Sequence, residues 1–381
     1  MRIEEKKPSY LQILFWRFWR GLDNQLIIAC GILILLSLLL VSTTSSSVAI
    51  RIGVSENYFI KKHIFYVLFS FLIISVFSIF SINTIKRISI LFFLINLFFL
   101  IIVKFTGIEV KGARRWINLF GFSLQPSEFI KPFFCIMTAY IFEFFREKNF
   151  ALLTSFIVYA LVAFLVIMQP DFGMLVTISG MWGVQLFVAG LAYLYIFWII
   201  LIAVMGVLLS YYFLPHVTSR IDSFLNPTIY ENYQVIQSIK AFKSGGLFGR
   251  GPGEGVIKNN LPDSHADFIF AVAGEEFGIV ICILISLIFA FIVLRGLIVL
   301  SNKEDEFTIL AGAGIISQIA IQSIINMGVA LNMLPTKGMT LPFISYGGSS
   351  TIAIGLSIGI LLALTRAEKL PTKYSINNNN I

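Results

Sequence analysis

The sequence predicts an all-α polytopic membrane protein of about ten transmembrane helices, with a large extracytoplasmic loop between the seventh and eighth. Three observations predict it. Hydrophobic residues make up 57% of the chain and charged residues only 13%, with a mean hydropathy of +0.89, whereas soluble domains carry about a quarter charged residues. Apolar runs of about 20 residues, long enough to cross roughly 30 Å of hydrocarbon as helix, recur from end to end. These runs are continuous rather than alternating, which selects helices over a β-barrel.

In order, the runs lie near 25–43, 63–82, 88–106, 127–145, 151–169, 172–190, 192–214, 267–300, 307–331 and 343–365. An even number places both termini on one side. Residues 1–24 are basic and aromatic and lead into the first run without a small-residue cleavage site, so they read as a retained cytoplasmic segment. A single membrane domain, 25–365, follows, with its extracytoplasmic loop at 215–266 and a cytoplasmic tail at 366–381. Half of the 28 Lys and Arg residues fall on the terminal side, so their number alone does not orient the chain. The amino-terminal cluster of Arg2, Lys6, Lys7, Arg17 and Arg20 does, because cations in a long loop such as 215–266 carry little topological weight. The run beginning at Asp267 exceeds what a bilayer needs and is expected to tilt or project into solvent.

Composition also excludes some functions. The net charge of +8 suits anionic headgroups, and no basic soluble domain exists for nucleic acid. Cys30, Cys135 and Cys282 each lie inside an apolar run and form no disulfide framework. His63, His216 and His265 are too scattered in sequence to suggest a transition-metal site.

Chemistry concentrates in a few stretches. Lys111, Arg114 and Arg115 flank a glycine and precede Trp116, a pattern that suits either phosphate binding or a headgroup anchor. Glu128 and Lys131 share a helix face at membrane depth, where ionisable groups are usually paired or functional. Leu124-Gln125-Pro126-Ser127 and Met168-Gln169-Pro170-Asp171 each read as a helix start on the outer face. Gly245 to Gly255 carries six glycines, giving either a hinge or a backbone able to approach a ligand closely; it lacks the P-loop pattern. A helix starting near Asp263 would put Asp263 and Asp267 on one face, where partial desolvation raises a carboxylate toward general-base range. Glu275 and Glu276, two turns deeper, read as structural partners, and His265 as a loop hydrogen-bonder. Leu331 to Ser350 is irregular backbone, tolerated at membrane depth only in a protein-buried or wet setting, and its Ser345-Tyr346-Gly347-Gly348 also suits close helix packing.

Taken together, the basic loop at Lys111, QPSE, QPDFG, FLNP, the glycine run, HADFIFA, GEEFG and PFISYGGSS resemble the SEDS family of bacterial peptidoglycan polymerases over nearly the whole chain. Thr336 and Lys337, within LPTKGMTLPFISYGG, are more similar to the division branch than to the elongation branch. Asp263 and Ala266 depart from the glutamate and threonine common there. The resemblance implies a glycosyltransferase that polymerises lipid II at the outer face of the cytoplasmic (inner) membrane, for septal wall synthesis. It implies Asp267 as the catalytic residue, with Lys111, Arg114, Arg115 and Lys337 holding the departing pyrophosphate. Glu128, Lys131, His265 and Ser345 complete the expected substrate contacts. No cofactor is implied with certainty; a divalent cation at the pyrophosphate is left open. Expected partners are a class B penicillin-binding protein transpeptidase and other division membrane proteins. A lipid II flippase, motivated by the intramembrane charges, and a non-catalytic scaffold remain as alternatives.

Overall fold

The computed structural model describes residues 21–110, 113–119, 122–145, 147–191, 194–195, 201, 205–206, 208–209, 211–213, 215–225, 233–335 and 338–366. Helices α1 (Asn24–Ile52), α2 (Tyr58–Ile79), α3 (Ile82–Thr106), α4 (Pro126–Phe144), α5 (Lys148–Ile167) and α6 (Phe172–Val188) match the first six expected runs. The seventh, 192–214, falls largely outside the described residues. Helices α7 (Pro215–Leu225) and α8 (Tyr233–Gly245) stand in the long loop, and α9 (Ile269–Ser301), α10 (Glu306–Ala330) and α11 (Gly348–Thr365) match the last three runs. Seven of these helices are long and apolar enough to cross a membrane. Of the other two that match expected runs, α4 carries Glu128, Lys131 and Glu143, and α6 has only 17 residues.

Residues 107–125, read as a loop, contain a small antiparallel sheet in the order β1 (Ile108–Val110), β2 (Ala113–Leu119), β3 (Phe122–Leu124). Its register sets Glu109 opposite Arg114 and Asn118 opposite Ser123. Short alternating strands of this kind carry no hydropathy signal beside runs of 20 apolar residues.

Of the seven membrane-length helices, α10 and α11 are the most buried. Helix α10 packs against α4, α6, α9 and α11, while α11 lies along α2. Small residues allow that last contact: a Cβ on Gly355 would lie 2.0 Å from the Ser70 hydroxyl, and one on Gly348 would lie 2.6 Å from the Tyr66 ring. Close backbone approach through small residues is the usual basis of helix association in lipid. Phe65, Leu68 and Phe71 of α2 and Leu91, Leu94 and Phe98 of α3 face outward, as a hydrocarbon solvent requires.

Charge sorts to two ends. At one, Arg295 pairs with Asp23 at 2.8 Å, Lys86 with Glu143 at 2.5 Å, and Lys303 donates to the Arg366 carbonyl. Asp23 and Arg366 belong to the segments read as cytoplasmic. At the other end the β-sheet, the turn at Gln169-Pro170-Asp171, residues 262–268 and residues 338–347 meet.

Helix α9 is not one continuous rod. It breaks at Gly278, where φ is +75° and ψ −176°. The amides of Ile279 and Val280 donate to the carbonyls of Gly246 and Leu247, at 3.0 and 3.4 Å. In return the carbonyls of Glu275 and Glu276 accept from Arg250 and Gly251, at 3.0 and 2.9 Å. The four groups that would have bonded each other along the helix are thus satisfied by the glycine run. A Cβ on Gly278 would lie 2.2 Å from the Leu247 oxygen, so the glycines bring backbone against backbone. Their close approach is to α9.

Candidate active site

Asp267 lies two residues before α9, half-buried, at the end of the bundle opposite Asp23 and Arg295. The helix does not extend back to Asp263, the condition under which Asp263 and Asp267 would share a face. Asp263 takes a left-handed φ of +52°, its carbonyl accepts from the amides of Ala266 and Phe268, and 262–268 is a series of turns. Asp263 and Asp267 therefore share no helix face. The physical reason is tertiary. The carbonyls of His265, Ala266 and Asp267 are bonded by the Tyr346 amide (2.9 Å), the Ser345 hydroxyl (2.6 Å) and the Asn326 side-chain amide (2.8 Å). Those donors take the place that following helical amides would otherwise fill.

The same clamp brings in residues 338–346. Asn326 also donates to the Met339 carbonyl at 2.6 Å, and the Ser345 hydroxyl accepts from the Leu341 amide at 2.8 Å. The Asp267 carboxylate lies over Gly338, where a Cβ would sit 2.9 Å from its Oδ2. Ser345 is buried and spends its hydroxyl on backbone. The His265 ring packs between Phe59 and Tyr346, with centroids 4.7 and 5.2 Å apart. Beneath this cluster the Ser37 hydroxyl donates to the Ile344 carbonyl and so must accept from His63 Nε2, at 2.6 Å.

Glu128 and Lys131 form a buried pair at 2.8 Å, and Lys131 also donates to Gln322 Oε1 at 2.9 Å. Gln322 in turn donates to the Thr340 carbonyl at 3.0 Å. Gln322 and Asn326, spaced four apart on α10, thus join the Glu128–Lys131 pair, the 339–340 backbone and Asp267. Neither was singled out from the sequence. The available signal was Gln318, Gln322 and Asn326 repeating every four residues in an apolar run, all buried; such a stripe marks one helix face.

The basic loop divides. Arg115 donates to the carbonyls of Gln169 and Pro170 and lies 3.5 Å from Asp171, so it staples the β-sheet to the start of α6. Asp171 caps α6 through the Met174 amide at 3.2 Å. Arg114 is largely exposed and, among the described residues, makes a loose 3.5 Å pair with Glu109. Lys111 and Lys337 lie outside the described residues. The deeper carboxylates are engaged within the protein. Glu275 accepts from the amides of Val256, Ile257 and Lys258 at 2.7–2.9 Å, and Glu276 pairs with buried Lys258. Among the described residues no group of three or more His, Cys, Asp or Glu is placed to hold a metal ion.

A family model described as cell cycle protein, covering FtsW, RodA and SpoVE, matches residues 24–370. The chain belongs to this family. It is 37% identical over 360 residues to a Caulobacter vibrioides protein named "Probable peptidoglycan glycosyltransferase FtsW", covering 94% of this chain and 92% of the relative. A Haemophilus influenzae protein of the same name is 31% identical over 382 residues, covering 97% and 93%. Among solved structures, a chain described under the coordination of polymerization and crosslinking by a peptidoglycan synthase complex superposes with a TM-score of 0.75. It is 23% identical, with 92% of this chain and all of that one covered. The Thermus thermophilus rod shape determining protein RodA gives 0.66 at 22% identity, covering 91% of this chain and 97% of that one. Both structures support the fold; the family and its division branch rest on the sequence relatives.

Proposed function

We infer that this chain is a peptidoglycan glycosyltransferase that polymerises lipid II at the outer face of the cytoplasmic membrane, at the division septum. The observation that carries the reading is the Asp267 carboxylate. It is half-buried, lies over Gly338, and has its main chain fixed by α10 and by residues 345–346. In the reaction Asp267 takes the proton from the acceptor sugar hydroxyl as that oxygen attacks the anomeric carbon of the donor. The C–O bond to pyrophosphate breaks, and the undecaprenyl pyrophosphate leaves with the bonding pair. Charge that develops on the leaving oxygen needs fixed cations. Arg114, exposed at the same end, and Lys111 supply them, together with Lys337, the sequence neighbour of Gly338.

The relatives' names support the reaction; the partner is a transpeptidase of the class B penicillin-binding type, in keeping with the crosslinking named with the synthase complex that shares the fold. The flippase reading took its motive from Glu128, Lys131, Glu275 and Glu276. Each of these is engaged in bonds inside the protein, the arrangement of structural charges.

The test is polymerisation of labelled lipid II by the purified protein with its partner. Wild type is expected to make glycan strands, and Asp267→Ala to lose them while keeping its helical content. Strand synthesis by Asp267→Ala at the wild-type rate would remove Asp267 from the mechanism.

A further inference from the structure

Of the three consecutive carbonyls held at residues 265–267, two are taken by the irregular stretch at Ser345 and Tyr346. The third, that of Asp267 itself, is taken by a transmembrane helix. Asn326 Nδ2 donates to it at 2.8 Å and to the Met339 carbonyl at 2.6 Å. One NH2 group, buried within α10, therefore joins the two segments that meet at the carboxylate: residue 267, and the backbone after Gly338. One turn earlier Gln322 repeats the arrangement on the Thr340 carbonyl and is itself held by Lys131. Asparagine is the shortest side chain that offers two protons from one nitrogen, and both are in use here.

We infer that Asn326 is a positioning residue for glycosyl transfer, resting on the reading of Asp267 as the base. It sets the Asp267 main chain against the 338–340 segment, and so sets the reach of the carboxylate toward the acceptor hydroxyl. Asn326 touches neither sugar. Its loss lowers turnover more than it weakens lipid II binding, because its own bonds go to protein backbone. Displacing a reacting group by about an ångström is enough to lower a rate by about a hundredfold.

The variants are graded by donors. Asn326→Leu keeps the volume and removes both protons; Asn326→Ser keeps one. Ser238→Ala serves as the control, since it deletes a buried hydroxyl that donates at 2.6 Å to the Ala330 carbonyl, one turn further along α10 and away from Asp267. Steady-state lipid II polymerisation is measured on the full chain with its partner. The expected order of kcat is wild type, then Asn326→Ser, then Asn326→Leu, the last down by about tenfold or more. KM stays within about twofold, and Ser238→Ala keeps wild-type turnover. Wild-type kcat in both Asn326 variants, with Asp267→Ala inactive, overturns the inference and leaves the base in place. An active Asp267→Ala overturns the base and the inference with it. An equal loss in Ser238→Ala assigns the effect to helix packing and also overturns it. Should Asn326→Leu fail to fold, Asn326→Ser decides alone: wild-type turnover refutes the positioning role.

Discussion

Replacing Gly278 with alanine probes the join between the glycine run and α9. The native backbone there, φ +75° and ψ −176°, is a region almost closed to L-residues, and holding alanine in it costs about 1–3 kcal/mol. The new Cβ would also lie 2.2 Å from the Leu247 carbonyl oxygen, so the run has to retreat. The bonds from Ile279 and Val280 to Gly246 and Leu247 go with it, at about 1 kcal/mol each. The sum is about 3–5 kcal/mol of lost stability. Gly246 is the matched comparison: its φ is +56° but nothing lies within 4 Å of its Cβ position. Alanine at Gly246 therefore carries only the left-handed strain, about 1–2 kcal/mol. Denaturant unfolding of the two purified variants in detergent, with limited trypsin digestion, reads the difference. Gly278→Ala should be the less stable by about 2–3 kcal/mol and should be cut at Arg250. Equal stability, with Arg250 protected in both, would refute the backbone exchange.

Two further outcomes follow from other contacts. A Cβ on Gly338 meets the movable end of Asp267, 2.9 Å away, so Gly338→Ala should unfold like wild type while kcat falls about tenfold or more; steady-state polymerisation checks this. Lys258→Met leaves Glu276 buried without its cation and should cost about 3–5 kcal/mol, part of which returns when Glu276→Gln is added; a double-mutant cycle on unfolding measures the coupling.

Hydropathy made the helices legible because lipid imposes one simple demand, an apolar run of sufficient length. Nine helices stand where runs were read. What stayed hidden depends on partners distant in sequence. The run FAVAGEEFGIVICILI reads as unbroken, because the groups that break it at Gly278 come from Gly246 to Gly251. The helix starts at Ile269, close to the run read from Asp267, and does not reach back to Asp263, because donors at Asn326, Ser345 and Tyr346 claim the carbonyls of 265–267. Arg115 looked like a phosphate ligand beside Arg114, yet its donors serve the Gln169 and Pro170 carbonyls; spacing alone does not tell a staple from a clamp. Glu275 and Glu276, by contrast, were legible as structural, since two adjacent carboxylates deep in an apolar run need partners to exist there.

The base assigned to Asp267 is tested most directly by isolating the carboxylate from the rest of the clamp. Asp267→Asn keeps size and shape and leaves the main-chain bond from Asn326 to residue 267 untouched, while removing the proton acceptor. Lipid II polymerisation by the chain with its partner, measured as strand length and initial rate, should fall to background in Asp267→Asn with binding of lipid II retained. Wild-type strands from Asp267→Asn would contradict the account.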